Sequence, residues 1–467
     1  RPYRVEWFVP PAGTVGGEFS SENKQYGFYI QDDWEVNDRL TLNIGVRYDY
    51  EDNPTYTDYV TPADLVATLE GWDNIQNTDY NYRDYISTGN NRSNFSGAWA
   101  PRLGFSYGLD EERLHTLFGG YGRSYDRNLF DLLKNETLRG TFATANYTFA
   151  GGHPENDCDI ATQTNCVAWD PVYLTQAGLD SLVQNVEVKD EAHLLHNDLD
   201  APYSDQFSLG VRSIWGDWNT EASVSYVESK NEFSWYLGNR REDGSFFEEG
   251  TIFGPPWGFG LPDRGRHLII SKNDGETRTK SVFLKLSRPH KDFWGVNVAY
   301  TFTNAEENRL VGSQFNLNYP GVGDYGWRKA QNIPEHKIVA SASYDLPWDV
   351  KLSAKYTWNS EVALEYLNNM NGIGQQYFDR VEPDESDYSR FDISLTKYVP
   401  TSYIMDGSEF YVRVDVQNLF NESNYSNFDL YHGDPGNFVL NENFAQPRPN
   451  TSTLGKRLVK LSAGFRF

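Results

Sequence analysis

Few residues in this chain are of the right type and spacing to do chemistry, and each set has a bland reading beside the sharp one. His193 and His196 (H-L-L-H) have the spacing of two metal ligands on one helical turn, but no complete zinc set accompanies them, so an ordinary polar helix turn is the other expectation. Ser124, in G-R-S-Y-D, lacks the glycine pattern of a nucleophile elbow and falls in a strand, not in a strand-to-helix turn. Carboxylates gather at Glu248 and Glu249 and at Glu382, Asp384, Glu385 and Asp387. They read as solvated acidic surface or as calcium ligands on outer loops, where several oxygens could converge. Cys158 and Cys166 are the only cysteines, and a disulfide closing the short loop between them fits an oxidising compartment. Trp257 and Phe259 in P-P-W-G-F-G, Tyr325 and Trp327 in D-Y-G-W, and Trp235 with Tyr236 could form an aromatic mouth for a ligand. Alternatively they are an interfacial belt or the packing core of the loops. No set assembles a catalytic centre, and an enzyme is not expected.

These residues have to be held by something, and the last ten residues show what. Leu458 to Phe467 read L-V-K-L-S-A-G-F-R-F, with Val459, Leu461, Ala463, Phe465 and Phe467 on one face and mostly polar or small residues on the other. A period of two makes a strand with one oily and one wet side. The same design recurs upstream. Phe410, Val412, Val414 and Val416 alternate with Tyr411, Arg413, Asp415 and Gln417, and Leu352, Ala354, Tyr356 and Trp358 alternate with Ser353, Lys355 and Asn359. Charges at every second position would be costly in a buried soluble sheet. They cost little in a strand with lipid on one side and a watery lumen on the other.

Composition agrees. Among 467 residues, 15% are aromatic, well above the need of a soluble core, as expected if aromatic girdles mark two membrane interfaces. Mean hydropathy is -0.65, and no stretch approaches the roughly 20 apolar residues of a spanning helix. Alternating strands escape such a window. The net charge of -25 makes nucleic acid a poor partner. Residue 1 opens in R-P-Y-R-V-E-W-F with no visible signal peptide, which reads as mid-chain sequence.

The pattern gives thirteen clear strands, in hairpins beginning near Phe19, Phe95, Tyr203, Lys280, Lys337 and Arg390 and ending with the terminal strand; Tyr3 to Val9 offers a fourteenth. Short turns alternate strictly with long polar segments (51–94, 127–201, 238–275, 305–335, 361–386 and 421–456). That sorting is the habit of outer-membrane barrels, with short periplasmic turns and long extracellular loops. Trp34, Trp215, Trp218 and Trp348, at the short turns, suit an interfacial belt. The expected fold is all-β, a transmembrane antiparallel up-and-down barrel.

Several stretches resemble TonB-dependent outer-membrane receptors, especially the Oar-like branch: Y-I-Q-D-D-W-E-V-N-D-R-L-T-L-N-I-G-V-R-Y-D (29–49), A-P-R-L-G-F-S-Y-G (100–108), F-G-G-Y-G-R-S-Y-D (118–126), P-Y-S-D-Q-F-S-L-G-V (202–211), R-F-D-I-S-L-T-K-Y (390–398) and V-Q-N-L-F-N-E-S-N-Y (416–425). The first and last are specific to such receptors; the glycine-rich ones are weak alone. The resemblance implies a barrel of about 22 strands with a plugged lumen, of which this chain is the C-terminal portion without the plug and the first strands. It implies a Gram-negative outer membrane, with lipid, lipopolysaccharide and the barrel-assembly machinery as partners, the terminal strand being the assembly signal. It implies import of a peptide, protein, oligosaccharide or chelate, powered by TonB through a segment outside this chain. A passive pore or a structural or adhesive barrel is the alternative.

Overall fold

Alternation in the sequence becomes a wall of strands in the computed structural model, which describes residues 2–9, 21–127, 130–141, 143–151, 158–163, 165–182, 191–247, 267–308, 325–368, 377–401, 407–434, 439–448 and 455–466. Thirteen strands form one continuous antiparallel path. In chain order the strands are β1 (Arg4–Val9), β2 (Lys24–Asn37), β3 (Leu40–Asp52), β4 (Phe95–Gly108), β5 (His115–Tyr125), β6 (Ala143–Ala150), β7 (Cys166–Ala168), β8 (Ala192–Leu194), β9 (Tyr203–Trp215), β10 (Trp218–Leu237), β11 (Leu268–Lys291) and β12 (Trp294–Glu307). They continue with β13 (Arg328–Lys329), β14 (His336–Leu346), β15 (Val350–Asn359), β16 (Leu364–Asn368), β17 (Tyr377–Val381), β18 (Tyr388–Pro400), β19 (Glu409–Gln417), β20 (Gly433–Asp434), β21 (Val439–Leu440) and β22 (Leu458–Arg466). The wall runs β2-β3-β4-β5-β9-β10-β11-β12-β14-β15-β18-β19-β22, and every neighbour along it is antiparallel.

Register explains why the alternation matters. Val459, Leu461, Ala463 and Phe465 of β22 face Val416, Val414, Val412 and Phe410 of β19. Phe28, Tyr48 and Trp99 lie side by side on β2, β3 and β4, and Leu209, Val224, Val282 and Phe302 do so on β9 to β12. One side of the wall is therefore an apolar band, and its residues stay exposed: Ile30 at 73%, Leu461 at 73%. Phe467, the last residue of the expected assembly signal, lies outside the described residues.

Thirteen strands are found where thirteen clear ones are expected, but three details differ. Residues 4–9 do form a strand, yet β1 pairs with β6 in a separate small sheet and is no part of the wall. The β11 strand begins at Leu268 rather than near Lys280, because β10 also extends to Leu237 and the two continue pairing to Leu237–Ile269 past irregularities near Glu232. The loop expected over 361–386 contains a hairpin of its own, β16 with β17. Among the described residues no helix is long and apolar enough to cross a membrane. The helices α1 (Pro54–Thr57), α2 (Ala63–Glu70), α3 (Phe130–Thr141) and α4 (Gln176–Leu182) all belong to long connections.

The glycines of F-G-G-Y-G have a local reason. A Cβ on Gly119 would come within 2.7 Å of the Ser208 carbonyl oxygen, and one on Gly120 within 2.7 Å of that of Leu103. Here β5 approaches both neighbours too closely for a side chain.

Candidate functional site

Among the described residues, polar chemistry gathers on the inner face of the wall and in the cap that the long connections build at its far end.

On the inner face, positions two apart on a strand point the same way. Arg47 reaches Asp49 at 2.6 Å, Arg390 reaches Asp392 at 2.7 Å and Arg413 reaches Asp415 at 2.7 Å. The R-x-D spacing thus puts cation and carboxylate together on three strands. Between them runs a hydroxyl- and amide-rich surface. Ser287, Asn297, Ser341, Ser353, Lys355, Ser394 and Gln417 line a hollow of about 620 Å³ with Arg413 and Asp415. Water-exposed ion pairs add little stability; their effect is to keep this face wet.

One cluster on this side has the composition of a hydrolytic triad. His290 Nδ1 is 2.8 Å from Ser343 Oγ, and Nε2 is 2.7 Å from Asp345 Oδ2. The ring is turned the opposite way from serine hydrolases, in which Nε2 meets the serine. Ser343 also lies within the ladder between Gly295 and Ser353, where neighbouring amides are committed to strand pairing and none is aimed at an oxyanion. The cluster ties the short β11–β12 turn to β14.

The cap is where buried apolar residues gather. One cluster joins Leu65 and Leu69 of α2 with Trp72, Ile75, Tyr82, Tyr85, Leu194, Tyr236, Leu268, Ile270 and Tyr325. A second joins Tyr56, Phe95, Leu132, Leu133, Leu195, Phe233, Trp235 and Ile269. Both form where the upper ends of β10 and β11 rise beyond the apolar band and meet the 53–94 and 126–202 connections. Arg92 ties them together. Its guanidinium holds Glu136 of α3 at 2.6 and 2.9 Å and donates to the carbonyls of Leu195 (2.8 Å) and Tyr56 (3.2 Å) and to Asn197 (2.9 Å). The amide of Leu195 donates back to Glu136 at 2.8 Å. Burial pushes the Glu136 carboxyl up, against the hydrogen bonds and charge of Arg92. Burial likewise raises the Tyr56 hydroxyl to about 12.

Of the six aromatic residues expected at a ligand mouth or in a loop-packing core, four are described. Trp235 and Tyr236 are both fully buried, so their rings pack the cap and present no face to an outside ligand. Tyr325 joins the Tyr236 cluster. Trp327 stays at the surface, with the Arg278 guanidinium 4.0 Å from its ring centre. Trp257 and Phe259 lie outside the described residues, as do Glu248 and Glu249.

His193 and His196 are not on a helix. Residues 192–194 are β8, which pairs in parallel with β11, and His193 lies 2.8 Å from Glu191. Among the described residues, no three carboxylates, imidazoles or thiols converge as a metal site. Glu382, in the acidic run 382–387, binds Lys329 at 2.7 Å. Cys158 and Cys166 are joined in a disulfide beside the β1-β6-β7 sheet. The Arg92–Glu136 pair had no signal in the sequence, because nothing local links a loop arginine to a glutamate 44 residues away.

An antiparallel wall with an apolar outer band, a wet inner face, short turns at one end and a packed cap at the other defines an outer-membrane β-barrel protein. The chain belongs to the outer membrane β-barrel domain family, whose model matches residues 12–363, and its place is the outer membrane. Comparison with curated proteins finds no match. Among solved structures, it is similar to the outer membrane transporter YddB from Escherichia coli (TM-score 0.51, 13% identity, covering 99% of this chain and 48% of that one). It is also similar to the pyoverdine outer membrane receptor FpvA from Pseudomonas aeruginosa (TM-score 0.49, 12% identity, 95% and 42%). The ferric-catecholate import receptor Fiu from E. coli is a third (TM-score 0.46, 13% identity, 94% and 44%). This chain thus spans less than half the length of each of these.

Proposed function

We propose that this chain is the C-terminal part of the barrel of a TonB-dependent receptor, one that binds a ligand outside the cell and imports it with TonB-transmitted energy. The observation that carries the reading is the wall itself: thirteen strands with a polar inner face and a folded cap on the long-loop side. Its two edges, β2 and β22, have no wall neighbour on their outer sides among the described residues, and open edges are not tolerated in hydrocarbon. Further strands therefore close the barrel. The similar outer membrane transporter YddB, of which this chain covers 48%, supports that reading. The cargo is a chelate, or the peptide, protein or oligosaccharide of an Oar-like receptor. The terminal strand, with Val459, Leu461, Ala463, Phe465 and Phe467, serves as the assembly signal.

Intact mass and N-terminal sequencing of the protein purified from outer membranes test the reading. A mass far above 53.5 kDa, with a plug-sized segment ahead of Arg1, is expected. A protein of that mass beginning at Arg1 and conducting ions steadily in planar bilayers would replace it with the passive pore.

A further inference from the structure

The chain as a whole is acidic, with 66 Asp and Glu against 41 Lys and Arg, yet the inner face of the wall from β9 to β22 carries the opposite sign. Register shows how. On β9, β10 and β11, Arg212, Glu221 and Lys285 are successive partners. Arg212 lies 3.2 Å from the Glu221 carboxylate, and Lys285 is left over. On β15 and β18, Lys355 is opposite Asp392, which Arg390 already holds. On β19 and β22, Lys460 is opposite Asp415, which Arg413 already holds. Each set has two cations for one carboxylate. The other inward carboxylates described on these strands, Glu307, Asp345 and Glu409, have Arg380, Lys351 and Arg466 beside them. No acid is left over to neutralise the surplus.

Lys285, Lys355 and Lys460 are exposed and make no hydrogen bond or ion pair among the described residues. Lys337, between Thr301 and Asn359 on the same face, is a fourth of this kind. The strands β11, β15 and β22 are each three wall positions apart, about 14 Å at the usual spacing of strands. Lys355 lines the hollow of about 620 Å³ with Arg413, and Lys460 lines an adjoining one of about 490 Å³, again with Arg413.

We propose that this face selects small anionic solutes, bearing carboxylates or sulfonates, and that Lys285, Lys355 and Lys460 are the groups that discriminate. Charges of one sign along a low-dielectric wall focus the field and raise the local concentration of the opposite ion. Inward Lys or Arg is also how pores come to admit anions. The arginines are spent on their carboxylates, whereas an ammonium on a flexible stem stays free to follow a passing solute. Ser341, Ser353 and Ser394 add hydroxyl donors in the same hollow. This deepens the import reading, on which it rests, by giving the cargo a charge.

Ser353→Cys in the full-length protein, held in lipid vesicles, supplies the test. The two native cysteines are joined to each other, so the new thiol is the single reporter. Its rates with an anionic (sulfonatoethyl) and a cationic (trimethylammonioethyl) methanethiosulfonate are compared, each divided by the rate with a small free thiol. The anionic reagent should be favoured. That preference should fall about fivefold in Lys355→Gln/Lys460→Gln, the scale of unit charges acting through water over about 7 to 14 Å. Lys280→Gln, on the apolar side of β11, should leave it unchanged. Should the double variant fail to insert, Lys355→Gln alone should show a smaller fall. Equal rates, a cationic preference, or no change in the variants would overturn the assignment and leave the import reading standing. No reaction with either reagent would mean that another segment covers this face, and would overturn it too. Intact mass and N-terminal sequencing decide the import reading separately.

Discussion

Arg92 and Glu136 meet in a two-pronged ion pair whose side chains are 0% and 1% exposed, the point at which two long connections and β8 are fastened together. Removing one partner leaves the other charged and buried, which costs about 3–5 kcal/mol. Arg92→Leu should therefore loosen the cap while sparing the wall, whose ladder it does not touch. Hydrogen exchange is expected to rise over residues 54–70 and 192–199, with heat-modifiable mobility of the barrel unchanged. Adding Glu136→Leu should recover most of the loss, since the stranded charge goes too. Unchanged exchange in the single variant would mean that the apolar clusters alone hold the cap.

Val224 and Ser225 are neighbours on β10 that face opposite sides of the wall, Val224 beside Leu209 and Val282, Ser225 beside Ser208 and Ser281. Arginine near the midplane on the lipid side of a barrel costs about 2–4 kcal/mol. Val224→Arg should lose that much in reversible unfolding from lipid, whereas Ser225→Arg should be close to neutral. A reversal would mean that the wet and oily faces have been exchanged.

Glu191 supplies a pH dependence. Burial favours its neutral form, but the hydrogen bond and charge of His193 outweigh it and hold the carboxyl at about 2, against an ordinary 4.5. A carboxyl depressed on folding contributes stability that is present above its unfolded pKa and is lost as pH falls through the folded one. Protection of residues 191–199 from exchange should thus fall between about pH 4.5 and 2. Glu191→Gln should weaken protection at neutral pH and flatten that fall. An equal slope in wild type and variant would remove Glu191 from the account.

The wall was legible from sequence because each strand carries its own instruction. Val412, Val414 and Val416 alternating with Arg413, Asp415 and Gln417 state which side is oily whatever the neighbours are. A slip of one residue would turn Arg413 to lipid, so alternation also constrains the register. Hairpin connectivity was equally local, since short turns such as Asp38-Arg39 leave two strands nowhere to go but side by side. The cap had no such code. Trp235 and Tyr236 end a strand, and nothing along the chain says whether a strand end is bare or roofed. Their burial depends on α2, α3 and β8 arriving from positions 40 to 170 residues away. The H-L-L-H spacing misled for the same reason: a period of three suggests a helix until pairing with β11 makes residues 192–194 a strand. Arg278 lies ahead of the strand that the alternation marks from near Lys280, and its alignment with Arg123, Asp205, Glu228 and Glu306 is a property of register across five strands. Sequence alone determined the membrane-spanning wall, because burial in lipid is decided residue by residue through alternation. Only the tertiary structure decided the cap, the Arg92 clamp and the charged row, because those depend on which distant segments meet.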